Sequence, residues 1–385
     1  MMRRTLLALA AALAPFAAQA QDGEVVRSEA ASFRFSTFAT GLERPWGAAV
    51  LPDGRLLLTE RPGRLRLVVT VGSVSAPLGG VPPVLAERQG GLLDVAIAPD
   101  FGTTREVFLC HATLVQGGAL TRLTRARLAA DGSALEAVQP VVDATPAQSS
   151  GRNHYGCRIA FGRDGHLFLS TGDRYETKER AQRLDDLAGK VLRLTRDGRV
   201  PSDNPFVGRV APEARGQGIA RPEIWSYGHR NPQGLAVNPA TGSLWEAEFG
   251  ALGGDEVNLV QPGSNYGWPV VSHGRDYDRS PIGTGRQSAP GLEEPLFHWT
   301  PSVSPSGMAF YNGAAFPAWR GSLFLAALNP AGLVRLTTEG DRVTGEERLL
   351  FDRRIRMRQV VVAADGALLI LTDEARGRIL RLSPG

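Results

Sequence analysis

The chain has 385 residues, of which 43% are hydrophobic, 21% charged and 7% aromatic, a composition typical of a globular protein and unlike that of a disordered or fibrous one. The 43 Lys and Arg residues nearly balance the 39 Asp and Glu residues, so the net charge is only +4 and a nucleic-acid-binding surface is not expected. The 45 glycines and 26 prolines favour many turns and few long helices.

The first twenty residues have the pattern of a secretory signal peptide. Arg3 and Arg4 precede an apolar run over 6–18, and Ala18-Gln19-Ala20 offers small residues at a cleavage site. The run is too short for a helix that spans a bilayer, and we expect no membrane span elsewhere in the chain. We therefore expect residues 1–20 to be removed on export, most simply to a bacterial periplasm.

The rest of the chain repeats one pattern: a short apolar strand, a turn rich in Pro, Asp, Asn and Gly, and a second apolar strand. Asp-Gly and Asn-Pro steps mark the turns, because Gly tolerates a positive φ and Asp or Asn bonds to its own backbone. Two copies continue into a third strand, over 63–67 and 377–382, in which apolar and charged residues alternate. The hairpin pattern occurs six times, in segments 46–60, 91–112, 157–173, 233–250, 306–328 and 359–374.

Six repeated hairpins predict an all-β fold, a six-bladed β-propeller in which each small sheet packs against its neighbours. We predict that residues 21–385 form this single domain, and that an early strand over 33–38 closes the ring by pairing with the last blade. The Pro- and Gly-rich segments 201–222 and 272–295 are expected to be loops at the rim, and 177–190 a short helix.

Two cysteines, Cys110 and Cys157, lie in strand-like runs of the second and third repeats. An oxidising compartment permits a disulfide between them, but strand adjacency cannot be read from the sequence, so a disulfide and two buried thiols are both compatible with it. Neither cysteine has a CxxC partner, which argues against thiol catalysis.

A histidine and an aspartate flank the third hairpin. His154 precedes its first strand, and Asp173 follows its second. A carboxylate fixes the tautomer of an imidazole and stabilises its protonated form, so this pair has the composition of a general base. From the spacing alone, a structural role for His154 remains the alternative.

Charged loop residues indicate two further kinds of site. Glu248, Asp255 and Glu256 lie among glycines, and their oxygens suit a hard cation such as Ca²⁺, unless the segment is an ordinary solvated acidic turn. Arg356 and Arg358 alternate on an extended segment, so both guanidinium groups point to one side and suit one anion, unless they belong to a charged outer strand.

Taken together, these loops resemble one family. The segments GHRNPQGL (228–235), EFGALGGDEVNLV (248–260), NYGWP (265–269) and RMR (356–358) follow one another in order within residues 45–382. In this they resemble the soluble pyrroloquinoline-quinone (PQQ)-dependent aldose sugar dehydrogenases and soluble glucose dehydrogenases. The resemblance implies a periplasmic enzyme that oxidises aldoses at C1 to lactones, with hydride passing to PQQ and Ca²⁺ polarising the quinone.

The resemblance also implies roles for individual residues. His154 corresponds to the general base, Asp173 to the carboxylate that orients it, and Arg230 to the arginine beside the quinone carbonyl. The implied cofactor contacts are Gln89, His154, Arg230, Asn231, Tyr277, Ser302, Arg356 and Arg358. The implied calcium ligands are the carbonyls of Gly250 and Ala251 at the cofactor, and Glu256 with the carbonyl of Tyr266 at a second, structural site, where Asp276 is a further candidate. We expect a small aldose substrate, an electron acceptor of unknown identity, and a monomer or weak dimer.

Two positions depart from the family's pattern. Asn329 stands where the family often has a lysine, and Gln359 where it often has an aspartate. Loss of a cation near a triply anionic cofactor is expected to weaken cofactor binding.

Two other functions are compatible with a propeller: a calcium-dependent hydrolase such as a lactonase, which would use metal-bound water, and a non-catalytic propeller that binds sugars or proteins.

Overall fold

A computed structural model describes residues 23–212, 215–216 and 218–385. The expected signal peptide, residues 1–20, lies outside the described residues. Within them, 24 strands form six antiparallel sheets, and the innermost strands of successive sheets contact one another around a ring. The predicted six-bladed, all-β propeller is confirmed, and all six predicted hairpins are the two inner strands of a blade.

The strands of each blade, from the centre outwards, have the following bounds: in blade 1, β3 (Pro45–Val50), β4 (Leu56–Glu60) and β5 (Arg64–Val68); in blade 2, β6 (Leu92–Ile97), β7 (Glu106–Val115), β8 (Gly118–Leu128) and β9 (Leu135–Asp143); in blade 3, β10 (Ile159–Phe161), β11 (Leu167–Thr171), β12 (Lys190–Leu194) and β13 (Ile224–Tyr227); in blade 4, β14 (Pro232–Val237), β15 (Leu244–Glu248), β16 (Asp255–Val260) and β17 (Phe297–Trp299); in blade 5, β18 (Pro305–Phe310), β19 (Leu323–Leu328), β20 (Ala331–Glu339) and β21 (Arg342–Leu349); in blade 6, β22 (Met357–Val362), β23 (Leu368–Thr372), β24 (Gly377–Pro384), β2 (Ser32–Leu42) and β1 (Glu24–Arg27).

The ring closes by pairing the two ends of the chain. Strand β2 lies beside β24, with Phe35 opposite Leu382 and Thr37 opposite Leu380, so blade 6 is built from both ends of the sequence. The predicted closing strand over 33–38 is therefore confirmed, although β2 is longer than predicted. This pairing covers the outer edge of β24, which would otherwise expose unpaired backbone groups.

Apolar packing between blades explains the pattern of buried residues. The second strands of blades 1, 3, 4, 5 and 6 are buried at every position, because each is covered by a neighbouring blade on both faces. Aromatic contacts cross the boundaries: Trp245 of blade 4 meets Phe310 of blade 5 edge to face, with ring centroids 5.3 Å apart. The sheets thus share their cores with their neighbours, and none has an independent one.

A disulfide joins blade 2 to the start of blade 3. Cys110 lies in β7, and Cys157 lies two residues before β10, with Cα atoms 5.6 Å apart. The structure thereby selects the disulfide over two buried thiols. Both cysteines are fully buried, so the bond belongs to the core between these blades.

Helical structure is sparse among the described residues. It consists of one α-helical turn, Phe101–Thr104, and 3₁₀ turns at Lys178–Gln182, Pro317–Trp319 and Phe351–Arg353. Of the helix expected over 177–190, only the 3₁₀ turn Lys178–Gln182 forms, and the carbonyls of Arg180, Ala181 and Ala188 accept hydrogen bonds from the buried Nζ of Lys190. Segments 201–222 and 272–295 carry no strand in their described residues, as predicted. No helix in the described ranges is long and apolar enough to cross a bilayer.

Candidate active site

Loops of blades 2, 3, 4 and 5 surround a cavity of about 710 Å³ at one end of the ring. In an antiparallel blade, the start of the first strand and the end of the second lie at the same end. His154 precedes β10 and Arg230 precedes β14, whereas the loop 249–253 follows β15 and Asn329 follows β19. The volume is within the range of about 300–1,000 Å³ that is usual for small-molecule and cofactor sites.

A buried histidine–aspartate pair lies at the edge of this cavity. Nδ1 of His154 is 2.7 Å from Oδ1 of Asp173, and both side chains are at least 95% buried. The second carboxylate oxygen of Asp173 accepts a hydrogen bond of 2.7 Å from the indole N–H of Trp268. Because Asp173 is an acceptor at both oxygens, Nδ1 of His154 carries the proton, and Nε2 has the free lone pair that a general base needs. His154 and Asp173, which flank the third hairpin, are thus in direct contact.

The electrostatics of the pair keep it in the base form. Burial lowers the pKa of His154, and the charge of Arg230 lowers it further, while Asp173 opposes both effects. Burial alone would raise the pKa of Asp173, but His154 and Arg230 hold the pKa of this carboxyl below its usual value. At neutral pH the imidazole is therefore uncharged and the carboxylate ionised.

The backbone around the pair is strained and closely packed. His154, Arg174 and Tyr175 all have positive φ values, of 49°, 69° and 66°, in a region that favours glycine. A Cβ at Gly172 would collide with the carbonyl oxygen of His154, so only glycine allows the two segments to approach this closely. Gln89 completes the support by accepting a 2.9 Å hydrogen bond from the backbone N–H of His154.

Arg230 lies beside the pair and is 97% buried. Its guanidinium donates to the carbonyls of Phe249 and Gly250, at 3.1 and 2.6 Å, and to the hydroxyl of Tyr277 at 3.3 Å. Its Nε is buried and has no hydrogen-bond partner among the described residues. The carboxylate of Glu248 accepts from the backbone N–H groups of Arg230 and Asn231, which fixes the course of this loop.

The glycine-rich loop after β15 presents the carbonyls expected to bind calcium. Gly250 and Ala251 line the cavity, and the carbonyl of Gly250 is held by Arg230. Asp255 anchors the loop: one of its oxygens accepts from the N–H of Gly250, and the other from the N–H groups of Val303 and Ser304. Asp255 thus ties two cavity walls together, a role that its sequence position did not indicate.

Three more of the expected cofactor contacts also line the cavity. They are Gln89, Tyr277, which is 51% exposed, and Ser302, whose hydroxyl accepts from the N–H of Gly253. Asn231 is fully buried and lies behind the wall, where its side-chain oxygen accepts from the N–H of Gly156. Asn329, at the position where the resemblance suggests a lysine, lines the cavity too.

Arg356 and Arg358 converge on one anion, but in this structure that anion is the carboxylate of Asp373. The shortest distances are 2.7 Å from Arg356 and 3.0 Å from Arg358. Burial alone would raise the pKa of Asp373, but the two guanidinium groups hold this pKa far below its usual value. Neither arginine lines the cavity; Arg358 instead donates to Gln233 and Ser306 in the centre of the ring. Asp373, which directly follows the second strand of the same hairpin, was not singled out in the sequence analysis.

The residues expected at the second calcium site lie outside the cavity lining. Glu256 is on β16, where its carboxylate accepts from Asn258, and Tyr266 stacks its ring on His229 with centroids 4.7 Å apart. Asp276 forms an ion pair with Lys178, 3.0 Å away.

Trp268 is a site residue that sequence reasoning missed. It lies in the recognised NYGWP segment, yet its contact with Asp173 joins two loops 95 residues apart and has no local sequence signal. The same indole ring lies beneath the guanidinium of Arg230, whose central carbon is 5.1 Å from the ring centroid. Trp268 therefore contacts both Asp173 and Arg230.

The fold and the site together define a propeller that carries a buried histidine–aspartate pair and an arginine at a ligand-sized cavity. Comparison with known proteins identifies the family to which the chain belongs. The sequence model of the Glucose / Sorbosone dehydrogenase family matches residues 42–381, and the chain belongs to that family.

Individual relatives agree with this assignment. The aldose sugar dehydrogenase YliI of Escherichia coli is 43% identical over 346 residues, which cover 89% of this chain and 91% of the relative. A crystal structure of a glucose dehydrogenase superposes with a TM-score of 0.86 at 48% identity, covering 91% of this chain and 99% of the other. The PQQ-bound aldose sugar dehydrogenase of Streptomyces coelicolor superposes with a TM-score of 0.75 at 30% identity, covering 91% and 98%.

Proposed function

We propose that this protein is a PQQ-dependent aldose dehydrogenase that oxidises the anomeric carbon of a sugar to a lactone, with His154 as the general base. The observation that carries the proposal is the buried pair of His154 and Asp173 beside Arg230 at the cavity. The names of the similar proteins, one of them PQQ-bound, support the choice of cofactor and substrate class.

Each of these residues has a separate role in the reaction. Nε2 of His154 accepts the proton of the anomeric hydroxyl as the C1 hydride departs, and Asp173 stabilises the imidazolium that forms. Arg230, which is 97% buried, supplies a fixed positive charge beside the reacting atoms. Gln89 and Gly172 hold the His154 backbone in place, so that the base needs little reorganisation during the reaction. When bound, PQQ would supply the two-electron acceptor for the hydride.

The cavity fits such a cofactor in two respects. The buried Nε of Arg230 lacks a partner, and a polar cofactor atom at the cavity wall would satisfy it. Arg356 keeps 47% of its side chain exposed, and it donates to the carbonyl of Leu328, next to the cavity residue Asn329. A guanidinium group is therefore available close to the cavity wall.

The charges near the cavity suit an anionic cofactor. Asn329 is uncharged where the resemblance suggests a lysine, so the positive charges available to cofactor carboxylates are those of Arg230, Arg356 and Arg358. Arg356 and Arg358 would bind these carboxylates in competition with Asp373, which both of them contact in this structure. We therefore expect weaker cofactor binding than a lysine at position 329 would give.

Calcium is part of the same proposal. The carbonyl oxygens of Gly250 and Ala251 are ligands of the kind that Ca²⁺ prefers, and these residues line the cavity. The carbonyl of Gly250 already accepts from Arg230, so a calcium ion there would compete with this guanidinium for one oxygen. We propose a second, structural calcium site at Glu256 and the carbonyl of Tyr266 on the resemblance alone.

We also propose that the mature protein, residues 21–385, works as one domain after export. The charged and apolar pattern of residues 1–20 and the disulfide between Cys110 and Cys157 both suit an oxidising compartment such as the periplasm.

The activity is tested by adding PQQ and Ca²⁺ to the purified protein and following the reduction of a dye with several aldoses. We expect sugar-dependent reduction that requires PQQ, with a lactone as product. Hydrolysis of lactones without PQQ would instead support a hydrolase, and the absence of both activities a binding propeller.

A further inference from the structure

A second group of ionisable side chains is buried between blades 3 and 4, behind the loop that carries Arg230. Strands β15 and β16 place Glu248 opposite Glu256 and Glu246 opposite Asn258. Because alternate residues of a strand share a face, these four side chains lie on one face of blade 4. Glu246 is fully buried and Glu248 is 97% buried.

His229 reaches this face from the loop between β13 and β14. It is fully buried, and its Nε2 lies 2.8 Å from the hydroxyl of Ser226. Its Nδ1 has no hydrogen-bond partner among the described residues; it lies 3.5 Å from Oε1 of Glu248 and 3.8 Å from Oε2 of Glu246. The stacked ring of Tyr266 fixes the plane of the imidazole.

The group lacks a compensating cation. Within the described part of the chain, no Lys or Arg forms an ion pair with Glu246, Glu248 or Glu256, and Oε1 of Glu246 has no hydrogen-bond partner. Buried carboxylates of this kind are normally paired with a cation or bound to a metal.

We propose that His229, Glu246 and Glu248 bind a divalent transition-metal ion, for which Zn²⁺ is the best match. Two ligands of a tetrahedral ion, each about 2.0–2.2 Å from it, are about 3.3–3.6 Å apart, close to the spacings of Nδ1 from the two carboxylates. An imidazole nitrogen favours Zn²⁺ over Ca²⁺, which prefers oxygen ligands. The contact of Nε2 with Ser226 is the outer hydrogen bond that usually orients a metal-binding histidine.

The ion would be structural and would act on the active site through Glu248. The carboxylate of Glu248 also accepts, through its other oxygen, from the N–H groups of Arg230 and Asn231, so metal binding would fix the loop that presents Arg230. The site adjoins the proposed structural calcium site, because Glu256 lies opposite Glu248 and Tyr266 stacks on His229, but its defining ligand is His229. It does not depend on the proposed dehydrogenase activity.

The test is the metal content of the full-length protein, purified without PQQ and dialysed against metal-free buffer after exposure to Zn²⁺. We expect about one Zn²⁺ per chain in the wild type, and at least about tenfold weaker binding in Glu246→Gln and His229→Gln. Glu294→Gln is the matched control, because Glu294 is exposed, lies 3.6 Å from His273 in another histidine–carboxylate contact, and should leave Zn²⁺ binding unchanged.

Co²⁺ provides a second readout that does not require folded variants. Co²⁺ bound to the wild type should give a visible absorption band that Zn²⁺ abolishes and Ca²⁺ does not. Retention of Ca²⁺ alone, absence of any bound metal, or equal Zn²⁺ binding in the wild type and in folded Glu246→Gln would each overturn the proposal.

Discussion

His154 and Asp173 show how two side chains and their surroundings set the chemistry of the site. Asp173 is bonded to His154 and Trp268, and the charge of Arg230 acts on the same imidazole. The pair therefore has one ring nitrogen committed to the carboxylate and the other available to a substrate.

The pH dependence of the reaction follows from the lowered pKa of His154. The base must be uncharged, so kcat/KM should rise with pH through this pKa and be constant above it. Because burial and Arg230 lower the pKa, the midpoint should lie below the usual value of about 6.5. Steady-state rates from pH 4 to 8 measure it; a midpoint above about 7 would contradict the assignment.

Trp268 is expected to position Asp173 through its indole N–H. Trp268→Phe removes a hydrogen bond to a charged group, worth about 1.5–3 kcal/mol, and we expect kcat to fall about tenfold or more with little change in KM. Trp225→Phe is the control, since the indole N–H of Trp225 has no partner among the described residues. Equal rates for the two variants would remove Trp268 from this role.

The approach of two loops depends on Gly172, which directly follows β11 of blade 3. In Gly172→Ala the new Cβ would collide with the carbonyl oxygen of His154, so the loop that carries the base must move. We expect a loss of about 1–3 kcal/mol in the free energy of unfolding and a lower rate. Gly102→Ala is the control, because a Cβ there meets no atom within 4 Å. A Gly172→Ala protein with unchanged stability and rate would contradict this account.

The hairpins were predictable from the sequence because their signals are local. Asp53-Gly54 and Asp365-Gly366 place the aspartate beside a glycine with positive φ, and the carboxylates accept from the backbone two residues on. The contact of His154 with Asp173 was also predictable, since both flank one hairpin. The contact of Trp268 with Asp173 was not, because it joins segments 95 residues apart that only the packing of neighbouring blades brings together. Asp373 follows the second strand of the hairpin whose first strand carries Arg358, but the charge pattern of the arginines alone did not indicate it as their partner.

At the level of the whole ring, the disulfide is expected to contribute strongly to stability. It closes a loop with a sequence separation of 47, for which chain entropy predicts about 4 kcal/mol. A reductant should therefore lower the melting temperature of the wild type and leave that of the Cys110→Ala/Cys157→Ala double variant unchanged. Thermal unfolding followed by circular dichroism measures both, and a wild type insensitive to complete reduction would refute the prediction.

The central claim is that the ring brings one base and one arginine to a cavity that holds a redox cofactor. The most direct measurement is the absorption spectrum of the PQQ-reconstituted protein, taken without oxygen before and after addition of an aldose. The account predicts reduction of bound PQQ in the wild type and in His166→Ala, whose histidine also contacts an aspartate but lies away from the cavity. In His154→Ala, PQQ should bind and be reduced about 10²–10⁴-fold more slowly. Reduction at the wild-type rate in His154→Ala would contradict the account.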